Sequence, residues 1–372
     1  MRSIRSQVWL PVAAAVGLYL TAMAVYVAKH HGDLSSLLCT GANRIGRPPY
    51  EAVTASIGPN GYDGQFYYAI ARAPWKLQEQ GLDAPAPRTL RILYPLVCWL
   101  LSGGRARLLF WVMPAVNLAA LAGLAALGAW LARHYGRSVW WGLSLPVALN
   151  AGLPALHNLT DPLAMLAVFG LLSAWLLGSR AWVVLLWAAV AVFSREQNVA
   201  IAGLLLVLAL GQRRFDVAAA MLAVVLLWLG WVGWLKAAYG VWPFLPGQGN
   251  FAVPLSGMIY RWTHLGGNLA FSRRLAIIFG LSMLHLTLEI LLALYLLRRR
   301  GDPAVKWCML AGVLLAVVGG TSIFGDFWSY TRVFVWLPTG LWLTALPGRQ
   351  SWPLLLLLPA GLWTAVAAAN YV

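Results

Sequence analysis

Long apolar segments recur from one end of this chain to the other, with short polar segments between them. An apolar helix of about 20 residues crosses a bilayer core of roughly 30 Å, and helices satisfy their own backbone hydrogen bonds in lipid. The pattern therefore predicts an all-α polytopic membrane protein with about eleven transmembrane helices. We expect these helices over residues 8–28, 108–132, 139–153, 159–177, 181–193, 199–210, 215–239, 275–297, 304–320, 333–345 and 352–369.

Two longer polar segments, residues 29–107 and 240–274, interrupt this alternation. The first contains two amphipathic stretches, 66–75 and 92–101. They are too short to span a bilayer comfortably and are typical of helices that lie along its surface. We find no internal repeat and no linker. The sequence predicts one membrane domain over residues 1–372, with both long loops on the same side.

Charge adds an orientation to this picture. Only 10% of the residues are charged, against about 25% in an average soluble domain, and the net charge is +16. Lys and Arg in short loops collect on the cytoplasmic side of a membrane, and Arg2 and Arg5 precede the first span. The N-terminus is therefore expected in the cytoplasm and both long loops outside. We expect the positive charge to meet membrane lipids rather than nucleic acid.

The first outer loop contains a carboxylate set between glycines and aromatic residues. Asp63 lies between Gly61 and Gly64, and glycines let a substrate approach the backbone closely. An Asp partly shielded by tyrosines is suited to act as a general base, which makes Asp63 the candidate catalytic residue. A solvated Asx turn is the structural alternative, because Asn-Gly and Asp-Gly are turn formers. The candidate binding residues beside Asp63 are Tyr62, Gln65, Tyr67 and Arg72.

Three further polar clusters are expected at the outer surface, in residues 157–162, 194–198 and 326–332. Polar groups at membrane depth are costly and so are candidates for function, and the planar fork of arginine suits a phosphate group. The structural alternatives are a helix cap for the first cluster, an Arg195–Glu196 ion pair for the second and an interfacial anchor for the third. The candidate binding residues, with one arginine of the second loop, are His157, Asn158, Asp161, Arg195, Glu196, Arg261, Tyr330 and Arg332.

Several familiar motifs are missing from the sequence. There is no Walker A loop, no HExxH and no paired-cysteine zinc motif, so we predict no cofactor and no nucleotide-linked donor. A disulfide between Cys39 and Cys98 is an open alternative if both residues face an oxidising compartment. The carboxylates of Asp161 and Glu196 also keep a divalent metal site as an alternative.

The arrangement of one span, a long outer loop with an acid and then many spans resembles the C-type (GT-C) membrane glycosyltransferases. Residues 62–71, YDGQFYYAIA, are similar to the aromatic-Asp-Gly stretch of bacterial mannosyltransferase-like members and of GPI mannosyltransferases. Residues 91–96, RILYPL, resemble the proline-bearing segment before their second span. Residues 194–197, SREQ, stand where many members have a Thr-Arg-Pro-Glu-like turn, here without the proline.

This resemblance implies a polyprenyl-phosphate-linked sugar as donor and a glycan, lipid or protein as acceptor. The reaction would take place on the periplasmic side of a bacterial inner membrane. Asp63 would deprotonate the acceptor hydroxyl in an inverting displacement, and Arg195, Arg332 and Arg261 are the candidates for holding the donor phosphate. A transporter or flippase for a lipid-linked or polar substrate is the main alternative, although such proteins usually carry repeated halves. A non-catalytic assembly subunit is a third possibility.

Overall fold

A computed structural model describes residues 2–76, 81–244, 249–265, 273–325, 327–348, 351 and 356. Within those ranges the protein is helical and contains no β-strand. The helices are α1 Arg2–Lys29, α2 Gly64–Arg72, α3 Pro85–Thr89, α4 Leu93–Ser102, α5 Ala106–His134, α6 Trp141–Ala148, α7 Gly152–Leu156, α8 Asp161–Leu176, α9 Ala181–Ser194, α10 Val199–Gly211, α11 Phe215–Tyr239, α12 Ser256–Thr263, α13 Arg273–Leu297, α14 Pro303–Val318, α15 Thr321–Phe324, α16 Phe327–Val333 and α17 Trp336–Ala345. Short 3₁₀ turns cover Leu34–Leu38 and Glu196–Asn198.

Four of these helical segments are long and apolar enough to cross a membrane: Val8–Lys29, Ala106–His134, Phe215–Tyr239 and Ala276–Leu297. Large apolar side chains such as Leu226 and Leu227 in α11 are more than half exposed, which is costly in water and ordinary in lipid. The prediction of an all-helical membrane protein is therefore confirmed. Eleven spans are not confirmed, because the other apolar helices have 10–17 residues.

Two predicted spans are interrupted. The segment 139–153 divides into α6 and α7 because Asn150, between them, adopts a left-handed conformation with a φ of 54°. The segment 333–345 begins instead at the start of α17, after a turn that follows α16. The predicted span 352–369 lies outside the described residues, apart from residue 356.

The chain divides into two compact units. Unit A contains Val12–Ala126 and Pro154–Phe244, and unit B contains Met1–Pro11, Leu127–Leu153 and Leu245–Tyr371. In unit A, α8, α9, α10 and α11 pack side by side, while α2 packs against α4 and α3 against α11. In unit B, α14 packs against α13 and α17, and α12 packs against α15.

Helix α2 is the central element of the first long loop. The sequence predicts here a helix lying along the membrane surface, but the residues of α2 from Gly64 to Ala71 are all buried within unit A. Tyr50, Tyr94 and Met113 belong to the core that encloses it. The amphipathic pattern therefore marks a helix that the protein itself surrounds. Cys39, Cys98 and Cys308 are buried free thiols, so the Cys39–Cys98 disulfide is absent.

Candidate active site

The turn that precedes α2 is fixed by backbone contacts that only glycine permits. Gly61 has a φ of 68°, and a Cβ there would lie 2.3 Å from the backbone nitrogen of Gly41. A Cβ on Gly64 would lie 2.0 Å from the carbonyl oxygen of His157. The sequence analysis expected a substrate to approach closely at these glycines, whereas in the structure the protein's own backbone lies against both of them. The two glycines set the position of Asp63 between them.

Asp63 forms an ion pair with an arginine that the sequence analysis did not single out. Arg88 Nη1 lies 2.7 Å from Asp63 Oδ1, and the Asp63 side chain is 13% exposed. The same guanidinium binds Asp83, with Nε 3.1 Å from Oδ1 and Nη2 3.1 Å from Oδ2. The guanidinium carbon of Arg88, Cζ, lies 4.3 Å from the centre of the Phe66 ring. Asp63 makes no side-chain cap bond to α2, so the Asx-turn alternative is not supported.

A second arginine connects Tyr67 to Glu196. Arg91 donates from Nε and Nη2 to the two carboxylate oxygens of Glu196, both at 2.7 Å, and from Nη1 to the Tyr67 hydroxyl at 3.0 Å. Such a two-pronged contact fixes both partners. Arg91 also interacts electrostatically with Asp63. The two arginine pairs therefore belong to one charged cluster around the start of α2.

The Arg91–Glu196 pair sets the pH dependence of stability at this position. Burial alone would raise the pKa of Glu196, but the attraction of Arg91 outweighs it and lowers the pKa to about 2. A carboxylate with a lowered pKa stabilises the fold above its unfolded pKa and loses that contribution as the pH falls towards its folded pKa.

We expect the Glu196→Gln variant to lack part of the acid-induced loss of stability that the wild type shows between about pH 4.5 and pH 2. The side chain is 29% exposed, so solvent reduces the effect to about 1–3 kcal/mol. Melting temperatures of both proteins in detergent across this pH range would measure it. Parallel curves for the two proteins would contradict the prediction.

Asp161 and Arg195 form a buried ion pair, with side chains 1% and 3% exposed. The sequence offered two structural alternatives here, a helix cap by Asp161 and an Arg195–Glu196 pair. The structure instead pairs each residue across helices, Asp161 with Arg195 and Glu196 with Arg91. Arg195 still acts electrostatically on Glu196, which extends the charged cluster to the start of α8.

His157 and Asn158 lie in the turn before α8. The His157 ring meets the Tyr62 ring edge-on, with centres 5.6 Å apart, and also contacts Tyr26. Asn158 has a φ of 50°, a left-handed conformation that asparagine tolerates better than most residues, which accounts for its presence in the turn. Three of the four predicted clusters thus meet in unit A, through Tyr62–His157, Asp161–Arg195 and Arg91–Glu196.

Three predicted binding residues have their polar atoms engaged with backbone. The Gln65 amide accepts from Gly41 N at 3.1 Å and donates to Asn60 O at 2.8 Å. Arg72 donates to Gly104 O at 2.6 Å. The guanidinium of Arg261 donates to three carbonyl oxygens, those of Phe324, His264 and Gly325. These contacts hold loops in place, and they occupy N–H groups that Arg261 would need for a phosphate.

Tyr330, Arg332 and Arg261 belong to unit B. Tyr330 and Arg332 are buried, and the Tyr330 hydroxyl contacts Ser282 Oγ. Asp326, from the same predicted cluster, lies outside the described residues. The donor-phosphate contacts suggested for Arg332 and Arg261 stay predictions.

The charged cluster does not have the composition of a metal site. Among the described residues, no group of three or more His, Cys, Asp or Glu side chains comes together. Asp161 and Glu196, the two acids that left a metal site open, each face an arginine instead. Their charges are balanced by the protein.

No family model, curated protein or solved structure matches this chain.

Proposed function

We propose that this protein is a membrane glycosyltransferase that moves a sugar from a polyprenyl-phosphate-linked donor to an acceptor hydroxyl, with inversion and with Asp63 as general base. One observation carries the proposal. Asp63 is a largely buried carboxylate held by Arg88, and the charged cluster around it combines residues from three segments that are distant in sequence. Acids alternating with arginines in a membrane protein are costly to maintain and are expected where charged chemistry takes place.

In the proposed reaction the carboxylate takes up a proton, and the arginines stabilise the negative charge that develops on the leaving phosphate. Asp63 accepts the proton of the acceptor hydroxyl as its oxygen forms a bond to the anomeric carbon of the sugar. The bond from that carbon to the donor phosphate breaks, and polyprenyl phosphate leaves with the bonding electrons. Preorganised cations stabilise such a developing negative charge. Arg88 is paired with Asp63 and Arg91 acts on it electrostatically, so their charges act on the departing phosphate through space, because their N–H groups are already bound.

The proposal includes a placement in the membrane. We propose that the chain has about eleven spans in a GT-C-like arrangement, with the N-terminus in the cytoplasm and the first loop, residues 29–107, on the periplasmic side of a bacterial inner membrane. The acceptor would be a glycan, lipid or protein, and no nucleic acid or cofactor takes part. The four long apolar helices support a membrane location, and the proposed orientation depends on the distribution of Lys and Arg along the sequence.

The direct test is transfer by purified protein from a set of synthetic polyprenyl-phosphate sugars, with a range of acceptors present. We expect release of polyprenyl phosphate with one donor class, and an inverted configuration at the product's anomeric carbon. Saturable binding of a lipid-linked sugar without hydrolysis or transfer would favour the transporter alternative. Neither binding nor turnover with any donor would contradict the proposal.

A further inference from the structure

A separate group of polar side chains lies inside a long apolar helix of unit B. Ser282, His285 and Glu289 recur at intervals of three and four residues in α13, which places them on one face of the helix. Ala276–Leu297 within this helix is apolar enough to cross a membrane. Glu289 is only 5% exposed. A glutamate at such a position needs a physical explanation, because a charge within the bilayer is costly.

Glu289 has no hydrogen-bond partner for one of its oxygens among the described residues. His285 Nε2 is 3.8 Å from Glu289 Oε1, which is beyond hydrogen-bond distance. The same Nε2 contacts the carbonyl oxygen of Leu356, which can only accept, and a hydrogen bond there requires the tautomer with its hydrogen on Nε2. In that tautomer the imidazole takes no proton from Glu289 at this atom.

A small cavity of about 20 Å³ lies beside these groups. Its polar lining comes from Asn150, Ser282, His285, Glu289 and Tyr330. A space of this size, with several polar groups around it, fits one water molecule. The cavity thus offers the unpartnered oxygen of Glu289 a single small polar ligand.

No cation close to Glu289 balances a negative charge. Among the described side chains, His285 is the only basic group within 4.0 Å of its carboxylate. The helices that pack against α13 contribute other titratable groups. These are Tyr260 and Arg261 in α12, Lys306 and Cys308 in α14, and Tyr330 and Arg332 in α16. The N–H groups of Arg261 bind backbone carbonyls. Helix α17 contains no titratable side chain. An ionised Glu289 would be a buried charge with one unpartnered oxygen and no cation bonded to it, which costs far more than a neutral acid.

We propose that Glu289 is a binding site for one proton and one water molecule. The carboxyl group is the neutral acid at neutral pH, and its O–H donates to the water in the cavity. The side chains of Tyr330, Ser282 and Asn150 line the cavity around that water. The site lies in unit B and does not depend on the glycosyltransferase proposal. It gives this membrane protein a proton-carrying group within a span.

Infrared spectra of the purified protein in lipid at pH 7.5 test this directly. We expect the wild type to show the C=O band of a neutral carboxylic acid, and Glu289→Gln to lose it. Glu51→Gln, which removes an exposed acid by the same chemical change, should keep the band. Gln is a close mimic of the neutral acid, so the variant is expected to fold. A wild type without the band, or a band that survives Glu289→Gln, overturns the proposal.

Labelling with dicyclohexylcarbodiimide, an apolar reagent for protonated carboxyl groups, gives a second measurement. At pH 7.5 an ordinary glutamate is about 0.1% protonated, so we expect at least about 100-fold more label on Glu289 than on Glu51.

The infrared spectrum of the His285→Leu variant distinguishes a neutral Glu289 from an ion pair between Glu289 and His285. If the neutral-acid band is present in the wild type and persists in His285→Leu, the proposal holds. A band that appears only in His285→Leu means that Glu289 and His285 are both charged, and the proposal fails.

Discussion

The Asp63→Asn variant is expected to transfer sugar about 100- to 10,000-fold more slowly than the wild type, the range that a positioned general base contributes. Asparagine has nearly the same shape and can still contact Arg88, but its amide accepts no proton. The loss should appear in kcat, with donor binding changed little. Single-turnover transfer by the purified variant, with binding of the labelled donor measured in parallel, would show this.

Asp83→Asn is the matched control for this experiment. Asp63 and Asp83 bind the same guanidinium, so each variant removes one of the two carboxylates that Arg88 contacts. Asp83 is 45% exposed, and we expect its loss to change the rate by less than about 10-fold, as for an exposed ion pair worth up to about 1 kcal/mol. Equal losses in both variants would mean that Asp63 acts by positioning Arg88, and the base role would be rejected.

The Arg195→Met variant is expected to lose about 3–5 kcal/mol of unfolding free energy, because it leaves the buried carboxylate of Asp161 without its partner. Methionine fills much of the same volume, so the lost charge is the main cause. Unfolding in detergent, followed by helical circular dichroism, would measure the difference. The sequence analysis gave Arg195 a contact with the donor phosphate, which predicts instead weaker donor binding with unchanged stability.

The double variant Arg195→Met with Asp161→Leu distinguishes these two roles. Replacing both partners of a buried ion pair by apolar side chains is often neutral or stabilising, so we expect the double variant to recover most of the lost stability. A double variant as unstable as the single one would show that Arg195 stabilises the protein through other contacts.

The parts of the structure that follow from local pattern were predictable. Apolar length indicated a helical membrane protein, and glycines beside Asp63 indicated a tight turn before a helix. The ion pairs were not predictable, because their partners are far apart in sequence: 25 residues for Asp63 with Arg88 and 105 for Arg91 with Glu196. Hydrophobic periodicity contains no information about which acid meets which arginine.

Other features of the structure were unpredictable for a different reason. The structural roles of Gln65 and Arg261 depend on backbone carbonyl and amide groups, which every residue has and no sequence motif reveals. The predicted span 139–153 is broken at Asn150, which adopts a left-handed conformation. Asparagine tolerates this conformation but does not always adopt it, so the sequence alone does not predict the break.

The contact between Gly64 and His157 has a consequence for how the protein is made. The two residues are 93 positions apart (157 minus 64), and the turn before α2 rests directly on the backbone at His157. At about 5–20 residues per second, the ribosome needs roughly 5 to 20 s to add that length of chain. The Asp63 loop therefore emerges well before its supporting surface exists, so it completes its fold only after the turn that precedes α8 has been synthesised.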